Sequence, residues 1–115
     1  MEPSEDYKRV QRRVEAAIPI QVRGLDASGT AYDDITVAVE VSRRGLSFIT
    51  KRELATFAIL TVVIPGRGPT RPETGPSDFF TEGTVVRSVR EGKNEFRVSV
   101  RFMGATLPMY SSEGH

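Results

Sequence analysis

The chain has 115 residues, of which 38% are hydrophobic and 27% are charged, and its formal net charge is +1. This length predicts one small domain with its own core, and the near-neutral charge argues against a general nucleic-acid binder, since such proteins carry a large basic excess. Without cysteine there is no disulfide framework or thiolate metal site, and no apolar run approaches the roughly 20 residues of a membrane span. We therefore expect a cytoplasmic protein.

The chain begins with a short tail and a basic segment. Residues 1–7 are expected to form a flexible tail that carries three acidic residues, and four cations follow between Lys8 and Arg13. Arg9 and Arg13 are four residues apart, so they fall on one side of the chain whether it is helical or extended. Two guanidinium groups can then contact the same bound molecule. A solvated basic patch that offsets the charge of the acidic tail remains an open interpretation.

Two long strands are predicted next, over residues 16–22 and 30–41. The first alternates apolar with other residues, and Pro19 within it indicates a sheet edge or a strand start. In the second, the residues predicted to form the buried face are Ile35, Val37, Val39 and Val41. The adjacent pair Asp33-Asp34 has no histidine, cysteine or further acidic partner nearby, so we interpret it as a charged edge or bulge rather than a metal site.

A turn, Ser42-Arg43-Arg44-Gly45, joins the second strand to a third that begins at Leu46. Gly45 can adopt a positive φ or let another backbone or a flat ligand approach closely, which a residue with a Cβ does poorly. Glu40 and Ser42 are two residues apart and therefore share the face opposite the apolar one. This places a carboxylate and a hydroxyl side by side next to a glycine, although an ordinary solvated hairpin has the same pattern.

The rest of the chain continues as strands. Residues 57–64 are rich in β-branched side chains, and residues 67–76 hold enough proline and glycine to predict a mobile loop without secondary structure. Phe79–Val89 and Glu95–Phe102 predict a last hairpin, in which Arg97, Ser99 and Arg101 face away from the apolar side. Six or so strands with no long helix indicate an all-β fold, a small six-stranded antiparallel barrel.

No catalytic set emerges, because the single histidine is His115 and no serine has an apparent base partner. Instead, Arg9-Val10-Gln11-Arg12-Arg13 before the first strand and Glu40-Val41-Ser42-Arg43-Arg44-Gly45 after the second resemble the two motifs of the PilZ domain family. That family's pattern is Arg-x-x-x-Arg, then Asp or Asn-x-Ser-x-x-Gly between two strands of a six-stranded barrel. Glu40 departs from it, Ser99 stands where the family often has glycine, and we expect no C-terminal helix of the kind that many relatives carry.

The resemblance implies a non-enzymatic receptor for cyclic di-GMP, a bacterial second messenger, with no cofactor or metal. Its domain would span residues 8–104, followed by a short tail over 105–115, and it would signal to a protein partner by ordering its N-terminal loop. The implied ligand-binding residues are Arg9, Arg12, Arg13, Glu40, Ser42, Arg43 and Gly45. Two alternatives stay open: a PilZ-like adaptor that no longer binds nucleotide, favoured by Glu40, and a small-barrel binder of RNA or single-stranded DNA.

Overall fold

The computed structural model describes residues 14–108 of the chain. This part contains eight strands and no helix, so none of its segments is a helix long and apolar enough to cross a membrane. The strands are β1 Val14–Leu25, β2 Ala31–Ser42, β3 Gly45–Thr50, β4 Ile59–Ile64, β5 Thr70–Arg71, β6 Gly75–Pro76, β7 Phe79–Gly92 and β8 Glu95–Met103.

Six of these strands form a closed barrel in the order β1-β2-β3-β8-β7-β4, with β4 pairing back onto β1. Every neighbouring pair is antiparallel, so the predicted six-stranded antiparallel barrel is confirmed. Turns join β1 to β2, β2 to β3 and β7 to β8, and β4 reaches β7 through the segment that holds β5 and β6. By contrast, β3 pairs with β8 and β1 pairs with β4 through contacts between distant parts of the sequence. Closure matters because it leaves the barrel without a free sheet edge.

The loop between β4 and β7 differs from its prediction. It contains the small β5–β6 hairpin, in which Thr70 pairs with Pro76 and Arg71 pairs with Gly75. Two further backbone hydrogen bonds, from Gly68 N to Ser77 O at 2.7 Å and from Ser77 N to Pro69 O at 3.1 Å, continue this pairing. The prediction of a loop without secondary structure was therefore wrong, because the prolines lie where the remaining backbone groups can still pair.

The core is formed by the inward residues of the barrel strands. Ile20 and Val22 of β1 are buried, as are Val98, Val100 and Phe102 of β8, so the alternation predicted for these two strands is confirmed. Beyond Gly104, Ala105 packs against the core and Leu107 is buried within it.

Strand β2 corrects one prediction about its faces. Ala38 pairs with Phe48 of β3, but the next pair is Glu40 with Ser47, so β2 has one extra residue, Val39, and forms a bulge. The bulge reverses the alternation: Ala38 is buried before it, and Val41 is buried after it.

Ile35 and Val37 consequently point outward, with 82% and 42% of their surface exposed, so the prediction that they are buried was wrong. Val41, on the other side of the bulge, lies in the core as predicted. The bulge also fixes Glu40 and Ser42 on the outer surface of the barrel, because both lie opposite the buried Val41 in the alternation.

Candidate functional site

The turn between β2 and β3 is held by its own serine. Ser42 pairs with Gly45 across the turn, and the Ser42 hydroxyl donates to the Gly45 carbonyl oxygen at 3.3 Å. The same hydroxyl oxygen accepts a hydrogen bond from the Arg44 backbone N–H at 3.4 Å. Serine is suited to this position because its short side chain can bond to the backbone of the turn.

Gly45 is required by the approach of another strand. It does not adopt a positive φ, so the turn itself does not demand glycine. A Cβ at this position would lie 2.2 Å from the carbonyl oxygen of Val100, in the backbone of β8. Of the two reasons that the sequence offers for this glycine, close approach therefore applies, and the approaching group is the protein's own backbone.

A pocket of about 370 Å³ lies against the outside of the barrel beside this turn. Its floor includes Ser47 and Ser99, which pair across β3 and β8 and whose hydroxyl oxygens are 3.0 Å apart in a hydrogen bond. The lining residues are Glu40, Val41, Ser42, Arg44, Gly45, Leu46, Ser47, Val86, Ser99, Val100 and Arg101.

Glu40 is paired electrostatically with β8. Its Oε1 lies 3.4 Å from Nη2 of Arg97, and Nη1 of Arg97 lies 3.8 Å from Oε2 of Glu91. One guanidinium group is thus shared between two carboxylates. All three side chains are partly exposed, at 25% for Glu40, 35% for Arg97 and 40% for Glu91, so solvent screens these attractions.

Two arginines add positive charge to the pocket. Arg44, from the turn, and Arg101, from β8, both line it and both are exposed. Neither was among the residues predicted to bind ligand. The alternation of β8 indicated that Arg101 faces outward. The sequence does not reveal that β8 pairs with β3, and this pairing places Arg101 opposite Gly45.

The predicted binding residues divide into three groups. Glu40, Ser42 and Gly45 line the pocket together, whereas Arg43 is exposed and does not line it. Arg9, Arg12 and Arg13 lie outside the described residues.

The backbone nevertheless shows where the N-terminal segment joins the barrel. Val14 pairs with Val41, and Glu15 pairs with Glu40. The first described residue, Val14, directly follows Arg13 in the sequence and pairs with Val41, which lines the pocket.

The paired aspartates of β2 are engaged in structural contacts. Arg52 Nε donates to Asp34 Oδ2 at 2.5 Å and its Nη2 donates to Asp34 Oδ1 at 3.1 Å, while Asp33 accepts a hydrogen bond from Gln21 at 2.7 Å. The hydrogen bond from Arg52 lowers the pKa of Asp34 below its ordinary value. Within residues 14–108, no group of histidine, cysteine and acidic side chains is arranged to hold a metal ion.

Comparisons with known proteins agree with this architecture. The sequence profile of the PilZ domain matches residues 7–111, whereas no curated protein matches the sequence. The structure of the Bacillus subtilis inhibitor of motility (MotI/DgrA) is similar, with 16% identity and a TM-score of 0.57. That similarity covers 89% of this chain and 43% of the MotI chain, so the chain spans less than half of MotI. The PilZ domain with c-di-GMP of YcgR from Escherichia coli has 18% identity and a TM-score of 0.48, over 80% of this chain and 75% of that one.

Proposed function

Because the chain belongs to the PilZ domain family, we propose that it is a non-enzymatic receptor that binds cyclic di-GMP in the pocket between Glu40 and Arg101. The observation that carries the proposal is the convergence of Glu40, Ser42 and Gly45 on one pocket that also holds two exposed guanidinium groups. A volume of about 370 Å³ lies within the range of small-ligand sites, which is about 300–1,000 Å³.

The chemistry of the pocket suits a guanine nucleotide. The N1–H and N2–H₂ edge of guanine needs acceptors, and the Glu40 carboxylate offers two oxygens. The O6 and N7 acceptors of guanine match a guanidinium group, which donates to both at once. Ser47 and Ser99, which both line the pocket, have small side chains that leave space for a planar base.

The charges of the pocket suit the two phosphates of the ligand. Arg44 and Arg101 line the pocket, and charge-assisted hydrogen bonds from arginine to phosphate are among the stronger polar contacts in proteins. We further propose that Arg9, Arg12 and Arg13 complete the site, since their segment enters the barrel beside Glu40. Ordering of that segment on the ligand would change the surface that a cytoplasmic protein partner meets.

Calorimetric titration with cyclic di-GMP tests this proposal. We expect the wild-type chain to bind and Glu40→Ala to weaken binding by about 1–3 kcal/mol, because guanine donors lose their acceptor. Arg13→Ala should cost at least as much, since a charge-assisted contact is lost. Arg23→Ala is the matched control, because Arg23 is exposed on β1 and does not line the pocket. No heat from wild type at high micromolar ligand, or equal weakening by the control, would contradict the proposal.

One observation favours the second candidate, a PilZ-like adaptor that works through protein contacts without nucleotide. The Glu40 carboxylate already has a partner in Arg97, so a ligand must compete for it. Binding of RNA or single-stranded DNA has less support, because such sites stack bases on aromatic side chains. Among the described residues that line the pocket, none is aromatic.

A further inference from the structure

Arg97 reaches Glu40 across an intervening strand. Arg97 lies on β8 opposite Ile49 of β3, while Glu40 lies on β2 opposite Ser47 of β3. The side chains meet over β3 with a separation of 3.4 Å between Nη2 and Oε1. Arg97 does not itself line the pocket, and its ion pair with Glu40 connects it to the pocket lining.

The pair depends on the length of the glutamate. An aspartate at position 40 would hold its carboxylate nearer to the β2 backbone by one carbon–carbon bond, about 1.5 Å. From 3.4 Å, a retreat of that size takes the two groups beyond the distance of an ion pair. The ion pair between β2 and β8 thus requires a glutamate at position 40 and an arginine at position 97.

Arg97 also has a second acceptor. Glu91, at the end of β7, lies 3.8 Å from the other terminal nitrogen of the guanidinium group. When Glu40 turns toward another donor, Arg97 can remain paired with Glu91 and is not left without a counter-charge. The three side chains therefore allow two arrangements: one in which Arg97 contacts both Glu40 and Glu91, and one in which the Glu40 carboxylate faces the ligand and Arg97 contacts Glu91 alone.

We propose that Arg97 sets the affinity of the pocket for cyclic di-GMP by binding the Glu40 carboxylate. To accept hydrogen bonds from guanine, Glu40 must first leave Arg97. This inference rests on the proposed function, because it assumes that Glu40 accepts hydrogen bonds from guanine. In the liganded receptor Glu40 contacts the base and Arg97 stays with Glu91. Arg97 thus competes with guanine for the Glu40 carboxylate, although the positive charge of Arg97 by itself would attract the dianionic ligand.

A double-mutant cycle tests this inference with cyclic di-GMP as the probe. Arg97→Met keeps the apolar stem and removes the charge, so it should tighten binding by about two- to fivefold, the range expected from a partly exposed ion pair. Glu40→Asp should tighten binding by a similar factor. In the Glu40→Asp background, Arg97→Met should not tighten binding further, because the pair is already broken.

Arg23→Met is the matched control for loss of one positive charge, and it should leave affinity unchanged or slightly weaker. Arg97→Gln provides a second neutral variant in case Arg97→Met folds poorly, which circular dichroism reveals. Unchanged or weaker binding by both Arg97 variants would overturn the inference, as would equal tightening in the wild-type and Glu40→Asp backgrounds. If wild type, both single variants and the double variant all fail to bind, the proposed function is wrong and this inference falls with it.

Discussion

Gly45→Ala is expected to destabilise the barrel strongly, although the change adds one methyl group. The new Cβ would lie 2.2 Å from the Val100 carbonyl oxygen and 3.2 Å from its carbonyl carbon, whereas ordinary contacts begin at 3.4 Å. The backbones of β3 and β8 must therefore separate by roughly 1 Å at this point. Backbone atoms cannot rotate away as the end of a side chain can, so the strands themselves must move.

The closed barrel restricts that movement. Strand β8 is paired with β3 on one side and with β7 on the other, so a shift away from β3 disturbs the second pairing as well. Overpacking in a dense interior typically costs 1–3 kcal/mol, and a contact with fixed backbone belongs at the upper end, so we expect a loss of about 2–3 kcal/mol. In a domain of this size that corresponds to a fall in melting temperature on the order of 10 °C.

Urea denaturation followed by circular dichroism measures this loss, with Gly92→Ala as the matched control. A Cβ at Gly92 meets the Glu95 side chain at 3.5 and 3.6 Å, which are ordinary contacts, and Gly92 does not have a positive φ. We expect Gly92→Ala to change the free energy of unfolding by less than about 1 kcal/mol. A difference between the two variants below about 1 kcal/mol would refute the reasoning and would leave access of a ligand as the reason for Gly45.

The remaining predictions concern the core and alkaline pH. Ile20→Ala should lower the free energy of unfolding by about 2–5 kcal/mol, whereas Ile35→Ala should change it by less than about 0.5 kcal/mol, since Ile20 is 1% exposed and Ile35 is 82% exposed. Equal losses in urea denaturation would contradict the bulge in β2. Burial raises the pKa of Tyr32 from 10.0 to about 12, so the folded barrel keeps a proton that the unfolded chain releases. Stability should fall as the pH rises from 10 toward 12, and Tyr32→Phe should lose less over that range, as unfolding at a series of pH values will show.

Much of the fold follows from local patterns in the sequence. The alternation of β1 and β8 identifies their inward residues, such as Ile20 and Val98, because a strand places successive side chains on opposite faces. The turn at Ser42 and Gly45 is also recognisable locally, since both residues favour turns. These features depend on neighbours in the chain, so a single sequence is enough to predict them.

The bulge in β2 was decided by tertiary structure. Ile35 and Val37 are as apolar as Val41, and local sequence provides no reason to bury one end of this alternation and expose the other. The extra residue of β2 belongs to its pairing with β3, and the pairing of β2 with β1 shifts register at the same place. A bulge changes which alternate residues of a strand point inward, and its position depends on the partner strand rather than on the apolar pattern of the strand itself.

The set of residues that surround the pocket also depends on tertiary structure. Glu40 and Ser42 were identifiable from the sequence because they flank the turn, and the first pairs of β1, Val14 with Val41 and Glu15 with Glu40, bring the start of β1 beside them. Arg97 and Arg101 reach the site only because β3 pairs with β8, a contact between parts of the chain that are far apart in sequence. Local sequence patterns therefore predict the six barrel strands and the motif, whereas barrel closure selects which charges surround that motif, because it brings distant strands side by side.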